Sequence, residues 1–152
     1  MIAISLWQPW ASLWLSPAKI HETRHWPARH RGWLLVHAAK RLERDVDDDL
    51  HAICRDQFGP LWRTSLPRGS VIGAVDLIDC KSTESVVLST MDAPEGARDI
   101  ACGNFDVGRF AWRRGAYKRF ATPIPYRGLQ SFFDVPDALV DASLVDARLE
   151  AA

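Results

Sequence analysis

The sequence predicts an α+β domain, a small β-barrel with peripheral helices. Three observations predict it: several short apolar or alternating runs of strand length, one sustained helical period, and no strand–helix–strand rhythm. At 152 residues the chain is long enough to bury a core as one domain, and 47% apolar against 25% charged residues are ordinary globular proportions. The domain is expected to occupy residues 1–135. Residues 136–152 are expected to form a C-terminal helix or a flexible tail.

Ile2–Trp7 alternates as a first strand, and Pro9 suits the first turn of a short helix with Trp10, Leu13 and Trp14 on one face. Ser16-Pro17 ends that helix. Lys19–Trp26 reads as a second strand, Pro27–Gly32 as a basic loop, and the apolar run Trp33–Ala38 as a buried strand. From Leu42 to Phe58 the apolar residues Leu42, Val46, Leu50, Ile53, Cys54 and Phe58 fall at helical spacing, with Asp45, Asp47, Asp48 and Asp49 early, where a helix dipole favours them. Those acids do not make a calcium loop, because Leu50 stands where the sharp turn needs glycine. Phe58–Arg68 reads as loop and Ser70–Lys81 as a long strand in which Gly73 marks a bulge or a close backbone approach. Ser82–Ile100 is polar and irregular. Phe110–Trp112 and Phe120–Tyr126 read as two strands joined by a turn at Arg114–Gly115, Phe132-Phe133 as core, and Leu139, Leu144 and Leu149 as the apolar positions of a weak terminal helix.

Formal charge is zero, which argues against a generic polyelectrolyte binder. The distribution is uneven: Arg109, Arg113, Arg114, Lys118, Arg119 and Arg127 run without an intervening acid. That segment is either a phosphate track or a solvated rim. Cys54, Cys80 and Cys102 lack the paired spacing of a zinc or redox motif, and isolated thiols point to a reducing interior. No basic-then-apolar leader and no membrane-length apolar run is present, so a soluble, cytoplasmic protein without membrane partners is expected. No cofactor motif stands out. His21, His25 and His30 lie on strand and loop, where that spacing does not gather a zinc ion, and no metal site is expected.

The densest stretch is Ser5–Lys40, with five of the seven tryptophans and four of the five histidines, and with six cations against the single acid Glu22 between Lys19 and Arg41. Aromatic faces interleaved with cationic heads suit a single-stranded nucleic acid, rings for bases and charges for phosphates. Trp7, Trp10 and Trp26 are the stacking candidates, with Gln8 between the first two offering both donor and acceptor. Trp14, Trp33 and Trp112 are assigned to the core. On an extended strand Glu22 and Arg24 share a face, while Lys19, His21 and Thr23 share the other; Lys19 joins Glu22 if it still lies in the turn. The trio then makes either a polar cleft or, from Glu22 and Arg24 alone, an internal salt bridge.

The ordered motifs Ser5-Leu6-Trp7-Gln8-Pro9-Trp10-Ala11, Lys19-Ile20-His21-Glu22-Thr23-Arg24-His25-Trp26, Arg31-Gly32 and Leu34-Leu35-Val36-His37-Ala38-Ala39-Lys40 resemble the N-terminal signature of the ASCH domain family, within the PUA-like superfamily. Leu66–Gly73, Gly108–Trp112 and Pro123–Gln130 are similar to its later strands, so the resemblance covers about residues 2–133. It implies a PUA-like barrel with a cleft beside the first helix and the Lys-x-x-Glu-x-Arg strand. It also implies RNA or nucleotide handling, whether as a binding module, a coactivator module, a ribonuclease, or a hydrolase of acylated cytidine nucleosides. Glu22 stands where the hydrolase branch has threonine, and Thr23 is expected to point away.

The leading expectation is a domain that takes one base of single-stranded RNA, or a modified nucleoside, into a cleft. Trp7, Gln8, Trp10, Trp26 and Arg24 would hold the base beside Lys19 and Glu22, and Arg31, Lys40, Arg109, Arg113, Arg114 and Lys118 would hold the backbone. As a metal-independent ribonuclease or nucleoside amidohydrolase it would use Lys19, Glu22 and His37. As an adaptor it would dock through the Leu139, Leu144 and Leu149 face.

Overall fold

A computed structural model describes residues 1–145 and 148–150. In chain order the elements are β1 (Ile2–Gln8), α1 (Trp10–Trp14), β2 (His21–Arg24), β3 (Gly32–Leu42), α2 (Asp48–Phe58), α3 (Trp62–Ser65), β4 (Ser70–Ser82), α4 (Thr83–Thr90), α5 (Pro94–Ala101), β5 (Phe110–Pro125), β6 (Phe132–Asp134), α6 (Asp137–Val145) and β7 (Arg148–Glu150). The strands join one mixed sheet in the order β2-β5-β4-β3-β1-β6, with β7 on β5. The fold class is α+β. Leu34–Ala38, apolar but for His37, is buried throughout as the middle of β3, between β4 and a parallel β1.

The sheet does not close into a hydrogen-bonded barrel, because its end strands β2 and β6 do not pair. Side chains span the gap. Trp26, just past β2, meets Phe132 of β6 and Trp112 of β5 edge-on, with ring centroids 5.2 and 4.6 Å away. Trp14 and Trp112 are buried in the same cluster, as their apolar positions imply.

Four stretches differ from the sequence expectation. The two strands expected between Phe110 and Tyr126 are one, β5, which runs straight through Arg114 and Gly115 and absorbs register shifts against β4 instead of turning. Gly73 lies at one such shift, where a Cβ would stand 2.2 Å from the Lys118 carbonyl, so the bulge and the close approach coincide. The helix expected from Leu42 begins only at Asp48, capped by the Asp47 side chain accepting from the Leu50 amide, while Leu42 and Val46 pack on its cluster from outside it. The 58–68 segment forms α3 around the buried Trp62, and Ser82–Ile100 folds as α4 and α5. Ser82 caps α4 through the Ser85 amide, and Pro94 opens α5. Of the apolar face expected on the tail, Leu139 is exposed and the side chains of Leu144 and Leu149 lie outside the described residues; α6 instead buries Val140, which that expected face does not include.

Candidate functional site

Ser16 and Pro17 stop α1, and the chain turns before entering β2, which leaves Lys19 in the turn. Arg114 holds that turn from beneath. Its guanidinium donates to the carbonyls of Ser16 (2.6 Å), Lys19 (3.0 Å) and Gly115 (3.0 Å). Burial pulls its pKa down to about 10, so it is still charged at neutral pH. Lys19 is 0% exposed along its length, and its Nζ donates to the Cys102 carbonyl at 2.8 Å and faces Glu22 Oε2 at 3.3 Å. Glu22 Oε1 lies 4.0 Å from Arg24 Nη1. The three charged groups therefore form one chain across the strand, with Lys19 swung from the turn to the Glu22 face.

This chain floors an open cleft of about 1000 Å³. Trp7, Trp10 and Trp26 all line it. One wall comes from Gly103, Asn104 and Arg109, whose guanidinium is anchored on the Asn104 and Thr23 carbonyls. Gly128–Ser131 form a lip of the cleft, and Asp45 and Asp47 line it as well. Gly128 fits only because it lacks a side chain: a Cβ there would lie 2.6 Å from His37 Cε1 and 2.8 Å from Ser5 Oγ. Ser131 closes the lip with a φ of 61°, an uncommon conformation for a residue other than glycine. A floor of one carboxylate between two cations, under three indoles, can accept from an exocyclic amine, donate to a ring carbonyl and stack a planar ring.

Lys19, Glu22, Arg24, Trp7, Trp10, Trp26 and Arg109 are thus brought together. Three other candidates are turned inward. Gln8 is 0% exposed, its amide donating to Ser12 Oγ and the Pro67 carbonyl and accepting from the Ser12 amide, so it braces α1 and offers nothing to a base. His37 is 2% exposed, with Nδ1 on Ser5 Oγ at 2.9 Å and Nε2 on the Tyr126 carbonyl at 2.7 Å, and it stands behind the lip. Burial holds His37 below the ordinary imidazole range, outweighing its bond to Tyr126. Arg114 is the turn clamp just described, not a phosphate contact. Arg31 donates to its own loop at Ala28 and His30, Lys118 lies over the Trp33 ring, and Lys40 packs on Gly69. Arg113 lines a separate cavity of about 290 Å³ with Asp79 and Lys81. The expected basic hairpin does not form one track. Thr23, expected to point away, lines the cleft, and its hydroxyl accepts from the Asn104 amide.

Asp99 and Cys102 carry weight that the sequence reading did not give them. Asp99 Oδ1 accepts from the Ile20 and His21 amides (2.6 and 3.0 Å), and Oδ2 bonds His21 Nδ1 at 2.7 Å. Burial opposes the ionised Asp99 carboxylate, but its bonds and charge pairing with His21, helped by Lys19, prevail and hold it below the usual carboxylate range. Burial pushes the Cys102 thiol up to about 11 and the Cys54 thiol to about 12, so both are unreactive structural thiols. Among the described residues no three His, Cys, Asp or Glu side chains come together so as to hold a metal ion. No helix among them is long and apolar enough to cross a membrane.

Over 83 residues, 52% of this chain, the sequence is 39% identical to activating signal cointegrator 1 of Homo sapiens, and the match to the mouse protein is equally close over 82 residues. The match spans only 14% of the length of those relatives. Among solved structures, ASCH from Zymomonas mobilis superposes with a TM-score of 0.55 at 15% identity, covering 97% of this chain and 95% of that one. A single-residue variant of the same protein gives 0.54. At that identity the likeness concerns the fold. The family model of the ASCH domain matches residues 4–129, and the chain belongs to the ASCH domain family.

Proposed function

We propose that this ASCH domain binds RNA by receiving one nucleobase, free or modified, in the cleft floored by Lys19, Glu22 and Arg24. One observation carries the reading: the three stacking candidates Trp7, Trp10 and Trp26 open onto the same cleft as the Glu22 carboxylate and its flanking cations. Glu22, as a carboxylate, is acceptor-only and selects a base edge that donates through an exocyclic amine; Arg24 donates to a neighbouring carbonyl or ring nitrogen, while the buried Lys19 holds the carboxylate from beneath. A buried carboxylate left facing a carbonyl costs more than the bond it would have made, so the site discriminates by penalty. Cytosine, adenine and guanine fit this rule and uracil does not.

The test is a tryptophan-fluorescence titration with the four ribonucleosides and with acylated cytidine, on wild type and Glu22→Gln. Wild type is expected to bind the amine-bearing bases and to reject uridine by at least tenfold, and Glu22→Gln to erase that preference. Equal affinity for uridine and cytidine in wild type would refute Glu22 as the reader. A catalytic centre built from Lys19, Glu22 and His37 is not favoured, because both His37 nitrogens are bonded behind the lip.

A further inference from the structure

We propose that the phosphate backbone of a single-stranded RNA runs over a basic surface assembled from three strand ends, carrying Lys40, Arg41, Arg68 and Arg127. The proposal rests on the base-cleft reading and extends it. Lys40-Arg41, Arg68 and Arg127 belong to three distant stretches of sequence, and the sheet brings those stretches together. The end of β3 pairs with the start of β4 (Ala38 with Ser70), which pairs with the end of β5 (Ser70 with Pro125). Backbone bonds from Gly69 to Ala38 (2.7 Å) and from Tyr126 to Gly69 (3.2 Å) pin the three ends together. Arg68 and Arg127 then flank Gly69, and Lys40 packs on it, its Cγ 3.3 Å from where a Gly69 Cβ would be.

All four cations are exposed, and among the described residues none of them is paired with a carboxylate. The surface is continuous with the cleft at two points. Arg41 lies over the Trp7 ring at 3.9 Å, and Trp7, 43% exposed, lines the cleft. Arg127 adjoins Gly128 of the lip. A guanidinium held on an indole face keeps its in-plane N–H donors for two oxygens of one anion, which is how arginine takes a phosphate. Asp45 and Asp47 line the cleft as well, and their charges repel a polyanion from the stretch they line.

The experiment measures labelled single-stranded RNA by fluorescence anisotropy across a salt series, alongside nucleoside binding by tryptophan fluorescence, on wild type, Arg68→Glu/Arg127→Glu and Arg113→Glu. Four phosphate contacts to a single strand give a slope of log affinity on log salt of about −2.8, and losing two removes about 1.4 of it. The double reversal is expected to weaken RNA at least tenfold and flatten the slope by that amount while nucleoside affinity holds, and Arg113→Glu is expected to leave both unchanged. Arg68→Gln/Arg127→Gln, with folding checked by circular dichroism, gives the milder loss expected from neutralisation. RNA that binds no tighter than the nucleoside, or that is indifferent to the double reversal, overturns the surface and leaves the cleft standing. RNA affinity that depends on Arg68 and Arg127 but not on Glu22 sinks the cleft and leaves the surface. Anionic vesicles that bind as tightly as RNA overturn the assignment to a nucleic acid.

Discussion

Arg114 shows how one residue can be misplaced by its neighbours in sequence. It sits in a run of cations, yet it is 1% exposed and bonded to two carbonyls of the α1–β2 turn and to that of Gly115 beside it. Successive residues on a strand face opposite ways, so Arg113 outside requires Arg114 inside, but only once the segment is known to be strand and not turn. Gln8 has the same history, since nothing local reveals that Ser12 and Pro67 exhaust its amide. The spacing of Lys19 and Glu22, by contrast, leaves their meeting open: it puts them together only if Lys19 lies in the turn and not on the strand, and β2 starts only at His21. Replacing Arg114 by lysine keeps the charge and loses the fork. At about 1.5–3 kcal/mol for each bond to a charged group, the loss of two predicts destabilisation of at least about 3 kcal/mol in urea. A change below about 0.5 kcal/mol would mean that the carbonyls find other donors.

At the scale of elements, α5 matters most to the site and was least visible. It spans only eight residues, and the two it buries, Gly96 and Asp99, have no apolar side chain, so no hydrophobic stripe marks it in the sequence. Its task is to bring Asp99 under the entry to β2 and, at its end, the Cys102 carbonyl onto Lys19. Asp99 titrates lower in the folded chain than in the unfolded one, where a carboxyl of this kind lies near 3.9. Its contribution is therefore fully present above about pH 4 and is lost as pH falls through its folded value. Asp99→Asn should cost about 1–3 kcal/mol in urea unfolding at pH 7. Below that folded value wild type has lost the same carboxylate charge, so the difference should shrink with acidity. An equal difference at pH 7 and pH 3 would show that shape, not charge, is what Asp99 supplies.

Over the whole molecule, the cleft occupies the seam that the sheet leaves open. β6 covers β1 only along Ile2–Ile4, so Ser5–Trp7 faces β2 across a gap that the lip Gly128–Ser131 borders. Sheet class and most strands could be read from periodicity, but the seam could not, because it depends on which end strands fail to meet. The rings of Trp26, Trp112 and Phe132 bridge the gap, and they also fix one cleft wall, since Trp26 belongs to both. Stability and binding should therefore part company at Phe132. Phe132→Ala and Phe120→Ala each remove a core ring, the second in a different cluster, and each should cost about 3 kcal/mol. Only Phe132→Ala frees Trp26, so only it should weaken nucleoside binding, by about tenfold, under conditions where both variants remain folded. Equal binding losses in the two would mean that the seam is ordinary core and that the cleft is held from elsewhere.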